Sequence, residues 1–352
     1  MKNTSFNICK LLACLPVIFI LFSFPAGVLA DGPEGLVNAG DTVVLRLGEH
    51  VGDLHWQHSA DGEQWEYISE ATNEHLQWIA RTSLYFRAEV IAGSCEPFYS
   101  DTILLEVSRF GTVMDIDSNF YRTTVIGEQE WMAENLKVTH YSSGEPITDG
   151  LTYESWEFIT DGVYGIYPYD DPWSPAEGIT SDEEMVEAYG LWYNWHAVKH
   201  EDGICPMGWR VPDNEDWDRL VQFVMNDLGV TNNWDDTEGV GNKLKSCRQI
   251  NTPLGGDCDT DVHPRWEDDD YTGEQFHGTD GYGFSGLPAG ARLRYGHNSY
   301  KDVGWVAVWW STTADSEMDA YRWHMTYASG DLYHVPVNKN NGHSVRCVRD
   351  LP

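Results

Sequence analysis

The chain has 352 residues, 41% hydrophobic and 13% aromatic, a globular composition long enough for two domains. Its formal net charge of −34 describes a surface that repels nucleic acid and anionic lipid and suits a cation, a basic partner or a neutral one. Beyond the N-terminal leader, no stretch is apolar for long enough to span a bilayer.

Residues 1–30 read as a secretory signal peptide. Lys2 and Lys10 give a positive start, Leu11 to Phe24 is almost wholly apolar, and Val28-Leu29-Ala30 offers a small-residue cleavage site before Asp31. Cys14 follows a Leu-Leu-Ala, but the apolar core lies after it rather than before it, unlike a lipoprotein signal. Export places the remaining cysteines, Cys95, Cys205, Cys247, Cys258 and Cys347, in an oxidising compartment. None stands in a Cys-x-x-Cys, which argues against thioredoxin-like chemistry and paired-cysteine zinc sites.

Residues 31–108 read as an all-β sandwich. Thr42–Leu47 alternates, Asp61-Gly62 signals a hairpin between Leu54–Gln57 and Gln64–Tyr67, and Leu84–Val90 and Thr102–Val107 supply further strands. Trp56, Ser59, Asp61-Gly62 and Trp65, followed by Tyr85-Phe-Arg-Ala, resemble the immunoglobulin-like modules of bacterial surface proteins. With Cys95 alone in this span, no inter-sheet disulfide can form here, and Cys95 is the candidate free thiol.

From Gly111 the texture changes. Val113–Ile126 predicts a hairpin turning at Asp117-Ser118-Asn119. Its Asp115, Asp117 and Asn119 imitate an EF-hand start, but Phe120 stands where glycine is needed and Ile126 where glutamate is needed. In Cys205-Pro-Met-Gly-Trp-Arg-Val-Pro-Asp213, the last residue can cap a helix whose apolar face is Trp217, Leu220, Val221, Val224 and Leu228, with Gly229 as the stop. His343–Arg349 alternates like a strand, so a Cys205–Cys347 bond would staple the last strand beside that helix. Cys247 and Cys258 then close a local loop.

The sequence resembles a known exported family at several places in order: Val125–Leu136, Tyr189–Trp195, Cys205–Pro212, Gly283–Arg292, Trp309–Thr312 and Ser344–Asp350. These match the Fibrobacter succinogenes major paralogous domain, here spanning residues 109–352. The resemblance implies an α+β C-type-lectin-like fold, related to the formylglycine-generating sulfatase-modifying enzymes, with ligands bound in a long irregular loop region. Residues 230–304 fit that region. The Glu-Pro-Asn and Gln-Pro-Asp tripeptides of sugar-binding C-type lectins are missing from it.

Candidate ligand-binding residues are Trp305, Trp309, Arg292, Arg294, Tyr295 and Trp266, an aromatic and basic set suited to stacking on a sugar. Glu267, Asp268, Asp269 and Asp270, with Asp280, are the candidate calcium ligands. No cofactor is otherwise called for. Gly281-Tyr-Gly-Phe-Ser-Gly286 spells a dinucleotide fingerprint without its strand and helix, and reads as a tight loop. Ser285 lacks a nucleophile frame, and the thirteen histidines show no ligand spacing. The expectation is an exported, non-catalytic adhesion or binding protein, extracellular, surface-held or periplasmic, recognising a glycan or a cell-surface protein. The alternatives are a formylglycine-generating-like enzyme using Cys247 and Cys258, and a structural surface subunit.

Overall fold

The alternating stretches before Arg109 fold as strands, and more of them than the alternation predicts. The computed structural model describes residues 20–23, 36–48, 50–94, 96–171, 176–232, 239–246, 262–267, 278–294 and 300–351. Two units divide at Arg109/Phe110. In the first, the strands are β1 (Ile20–Ser23), β2 (Leu36–Asn38), β3 (Thr42–Leu47), β4 (Asp53–Ser59), β5 (Glu66–Tyr67), β6 (His75–Ile79), β7 (Leu84–Ile91), β8 (Phe98–Tyr99) and β9 (Ile103–Ser108). One sheet runs β2-β9-β7-β4-β5 with β8 also on β7, and the other runs β1-β3-β6. β1 falls inside the stretch read as the leader, and its backbone pairs antiparallel with Val44–Leu47.

Residues from both sheets share one core of Val43, Leu45, Leu54, Trp56, Phe86, Ala88 and Leu105, which is the sandwich arrangement. The Trp56 indole N–H is satisfied by the Asn73 carbonyl at 2.9 Å. The hairpin turn is fixed by Asp61, whose Oδ1 accepts the Glu63 and Gln64 amides at 2.8 Å each. Cys95 lies outside the described residues.

The second unit opens with β10 (Phe110–Met114) and β11 (Phe120–Ile126). The turn between them is a hairpin turn. The Asp115 carboxylate is taken up by the Asp117 and Asn119 amides, the Asn119 side chain and the Tyr121 hydroxyl. β12 (Gln129–Met132) follows, then α1 (Tyr153–Glu157), β13 (Tyr164–Gly165), α2 (Asp182–Tyr189), β14 (Trp192–Tyr193) and α3 (Trp195–Val198). Beyond these come α4 (Asn214–Leu228), α5 (Val240–Leu244), β15 (Ala291–Arg292), β16 (Tyr300–Lys301), β17 (Val306–Ala314), β18 (Asp319–Thr326), β19 (Tyr333–Asn338) and β20 (Val348–Asp350). The larger sheets are β10-β11-β12-β20 and β17-β18-β19, so the unit is mainly β with short helices set around it.

α4 forms as its sequence dictates. Asp213 and Asp216 make a reciprocal capping box, Gly229 closes the helix in the left-handed conformation at φ 62°, and Trp217, Leu220 and Val224 are buried. Leu228, placed on the buried face by its spacing, is exposed in the last turn. Trp217 sits in an aromatic stack with Trp131, Trp309 and Trp323.

The C-terminal segment departs from its predicted alternation. Every residue from Asn341 to Val348 is buried, because the chain threads between elements rather than lying on a surface. Its amides and carbonyls pair with Tyr193, Val308, Leu136, Met132 and Arg210. The expected disulfide is present: Cys205 and Cys347 are bonded, with Cα atoms 5.9 Å apart and a sequence separation of 142. Cys247 and Cys258 lie outside the described residues.

Arg346 is a fully buried charge in the second unit. Its guanidinium donates to the Phe284 and Ser285 carbonyls and to Asn135 Oδ1, and lies 4.3 Å over the Phe284 ring. Burial pushes its pKa down to about 9, so it remains charged at neutral pH.

Two outcomes are expected in denaturant melts of the oxidised protein. Replacing both Cys205 and Cys347 by Ala lowers stability by up to about 5 kcal/mol, the closure entropy of so long a loop. Arg346→Ala costs about 3–5 kcal/mol, because the carbonyls and Asn135 lose their donor inside the core. A loss below about 1 kcal/mol in either variant contradicts the assigned role.

Candidate functional site

The turn between α3 and α4 frames a cleft of about 440 Å³, lined by Lys199, His200, Asp202, Cys205, Met207, Trp209, Arg210 and Thr312 among others. That volume suits a small ligand or one or two units of a polymer. The frame is held on several sides. Cys205 carries the disulfide, its carbonyl accepts the Ser142 hydroxyl at 2.9 Å, and Arg210 exchanges both main-chain hydrogen bonds with Val348. The Arg210 guanidinium is fixed by buried Asp216 and by Asp350.

The lining mixes aromatic and polar groups. His200 stacks on Tyr141 at 3.8 Å between centroids, and burial pushes the Tyr141 hydroxyl up to about 12, so it stays protonated. Trp209 is half-buried, with the Arg349 guanidinium 5.1 Å from its ring centroid. Met207 is 100% exposed at the turn tip, where Gly208 takes φ 83°. Lys199 is exposed beside them. The sequence reading took this turn only as the approach to a helix. An exposed methionine between a proline and a glycine, next to a tryptophan, was the signal that it presents a surface.

The residues expected to bind ligand fall in different places. Trp309 is not a platform: it is fully buried, and its indole N–H donates to Asn135 Oδ1 at 2.8 Å. Both faces of β17 are covered, so alternation leaves no free face there. Arg292 is buried with its guanidinium 3.8 Å over Trp156, and Trp266 is buried with its indole N–H on the Gly286 carbonyl. Arg294 is half-buried, its amide on Asn341 Oδ1. Trp305 alone of these aromatics is open, 41% exposed and edge-on to Tyr327 at 4.5 Å. Tyr295 lies outside the described residues.

The calcium set is also divided. Asp268, Asp269 and Asp270 lie outside the described residues. Asp280 is buried and accepts both the amide and the hydroxyl of Ser285, which rigidifies the glycine loop. Glu267 instead meets two residues not foreseen as its partners: Glu177 and His263. Contact with His263, together with the Arg265 guanidinium, holds its carboxyl below the usual range. The residues that could hold a metal among those described are therefore Glu177, His263 and Glu267.

Two further histidines, buried His343 and half-buried His324, have ring nitrogens without hydrogen bonds. His343 has no hydrogen bond at either ring nitrogen, and His324 none at Nδ1. Burial, with Arg322 next in effect, pushes His324 down to about 4 from the ordinary 6.5 and holds His343 well below it. The unfolded chain therefore takes up protons in this window that the folded protein refuses. Stability is complete above about pH 6.5 and falls as pH drops from there toward about 4. Urea melts at several pH values check this, and His324→Gln flattens the slope. An unchanged slope in that variant contradicts the assignment.

Comparison with known families follows the same division of the chain. No solved structure matches the chain. Residues 32–109 match a domain of unknown function, DUF8696. Residues 125–349 match the Fibrobacter succinogenes major domain, a span that holds β12, α4, the disulfide and the cleft. The chain belongs to the Fibrobacter succinogenes major domain family.

Proposed function

We propose that this is an exported binding protein whose second unit takes a surface glycan in the cleft at Lys199–Thr312. The observation that carries the reading is the cleft itself. It presents an aromatic and thioether surface, with cationic and carboxylate groups at its rim, on a turn clamped by a disulfide. Glycan sites need a flat apolar face for the sugar ring and fixed polar groups for its hydroxyls, and rigidity lowers the entropy cost of binding. Trp209 and His200 supply the first, and Lys199, Asp202 and Arg210 the second.

Export is supported by the leader-like pattern of residues 1–30 and by a disulfide, which persists in oxidising compartments. The C-type-lectin-like reading is supported by the pairing of β12 with β20, which brings the unit's beginning and end together, and by the disulfide that secures that closure. The immunoglobulin-like reading of the first unit is supported by its two-sheet core around Trp56.

Trp305 favours a second location. Its exposed ring, edge-on to Tyr327, offers a stacking face in the loop region. A glycan array probed with residues 31–352, with calcium and with chelator, separates the two. The cleft predicts binding that is indifferent to chelator, at least tenfold weaker in His200→Ala and Met207→Asp, and unaltered in Trp305→Ala. Loss in Trp305→Ala alone moves the site to the loop face. No glycan binding, with capture of a cell-surface protein that His200→Ala abolishes, replaces the glycan with a protein ligand.

A further inference from the structure

Glu177 and His263 are tied through the main chain, the His263 amide donating to the Glu177 carbonyl at 2.8 Å. The Glu267 amide donates in the same way to the Gly304 carbonyl at 2.8 Å. Close approach is built into the backbone. A Cβ on Gly304, at φ +86°, would stand 2.9 Å from Glu267 Cγ and 3.1 Å from His263 Cε1. A Cβ on Gly178 would collide with Val262, next to His263. Glycine at these positions is what allows the segments to converge.

His263 is the informative member. Its side chain is 1% exposed, and Nε2 lies 3.2 Å from Glu177 Oε2 and 3.6 Å from Glu267 Oε1. Yet Nε2 makes no well-formed hydrogen bond to either carboxylate, although both are close and the contact holds the Glu267 carboxyl below its usual range. The other ring nitrogen is engaged: Nδ1 lies 2.7 Å from the Tyr189 hydroxyl, which also accepts the Arg265 amide at 3.3 Å. In the tautomer with the proton on Nδ1, donated to the Tyr189 hydroxyl, the Nε2 lone pair faces two carboxylate oxygens and the three groups can share a cation. A histidine whose far nitrogen is oriented by a hydrogen bond is the usual form of a metal-ligating imidazole.

We propose that Glu177, His263 and Glu267 form a site for a divalent transition-metal ion of the zinc type, with an oxygen from solvent or a ligand completing its shell. The three ligand atoms lie within 4.8 Å of one another. Bond lengths of about 2.0–2.2 Å need ligands a little closer than that, and Glu177, more than half exposed, is free to move inward. An imidazole nitrogen with two carboxylates favours zinc-type ions over calcium, which takes oxygen ligands in larger number. Arg265 is the competing charge, 2.9 Å from Glu267 Oε1 and 3.9 Å from Glu177 Oε2. Its contact falls on the same Oε1 that faces His263, so an ion takes Oε2 of Glu267 or displaces Arg265 from Oε1. The ion would cross-link the turn before α2 to the segment that leads on from Val262.

The test is calorimetric titration of chelator-treated residues 31–352 with zinc chloride, alongside calcium and magnesium. One equivalent of zinc is expected to bind, with calcium and magnesium far weaker, and cobalt(II) in its place should give visible absorption of a low-coordinate site. Glu177→Gln, at a surface position that folding does not depend on, should weaken zinc at least tenfold. Tyr189→Phe should weaken it about tenfold by freeing the imidazole. His263→Gln should abolish the site, its fold checked by circular dichroism. Absence of saturable zinc binding overturns the proposal. So does zinc binding of equal strength in Glu177→Gln and His263→Gln, which would mean adventitious surface histidines only.

Discussion

A buried chain segment with a buried charge on it is the constraint around which the second unit is organised. Residues 341–348 run through the middle of the structure, so each amide and carbonyl must find a partner from another element. Arg346 raises the stakes, because a guanidinium taken out of water is tolerable only if its donors are met. Phe284, Ser285 and Asn135 meet them, and Asn135 also accepts from Trp309. One arginine thus fixes the glycine loop, the stretch after β12 and, through Asn135, strand β17 relative to one another. Cys347, the next residue, adds a covalent tie to the turn before α4.

The cleft is a consequence of that arrangement. Its turn is fastened at Cys205 by the disulfide, at Arg210 by Val348, and at Pro212 by the Thr312 amide. Only the tip, Met207-Gly208, is free to face outward, and both are exposed. Of the two cations that line the cleft, Arg210 is already neutralised by Asp216 and Asp350, which leaves Lys199 as the exposed charge beside Asp202.

Much of this frame was legible in residues 205–229 and 343–349. Capping chemistry, a 3.6-residue period and a terminal cysteine are local signals, and local signals gave α4 and the disulfide. The burial of Trp309 was not legible, because alternation along β17 says that two faces exist and not that both are covered. The same limit hid Arg346, which looks like an ordinary charged residue until its segment is seen to be central. Glu177 and His263 are far apart in sequence and are joined only by the fold, so no spacing could announce them. Leu228 erred the other way: its position was right for the apolar face, but the last turn of α4 extends past the core. Exposure decided the fate of the site residues, and exposure is a property of what packs against an element.

The central claim is that a ligand seats in the disulfide-clamped cleft of the second unit. The most direct measurement is hydrogen–deuterium exchange on residues 31–352, with and without a glycan fraction prepared from the cell surface. The account predicts that added protection concentrates in residues 198–212 and in residues 141–143 and 311–313 that adjoin them. Protection confined to the first unit, or to the residues around Trp305 with none at 198–212, would contradict it.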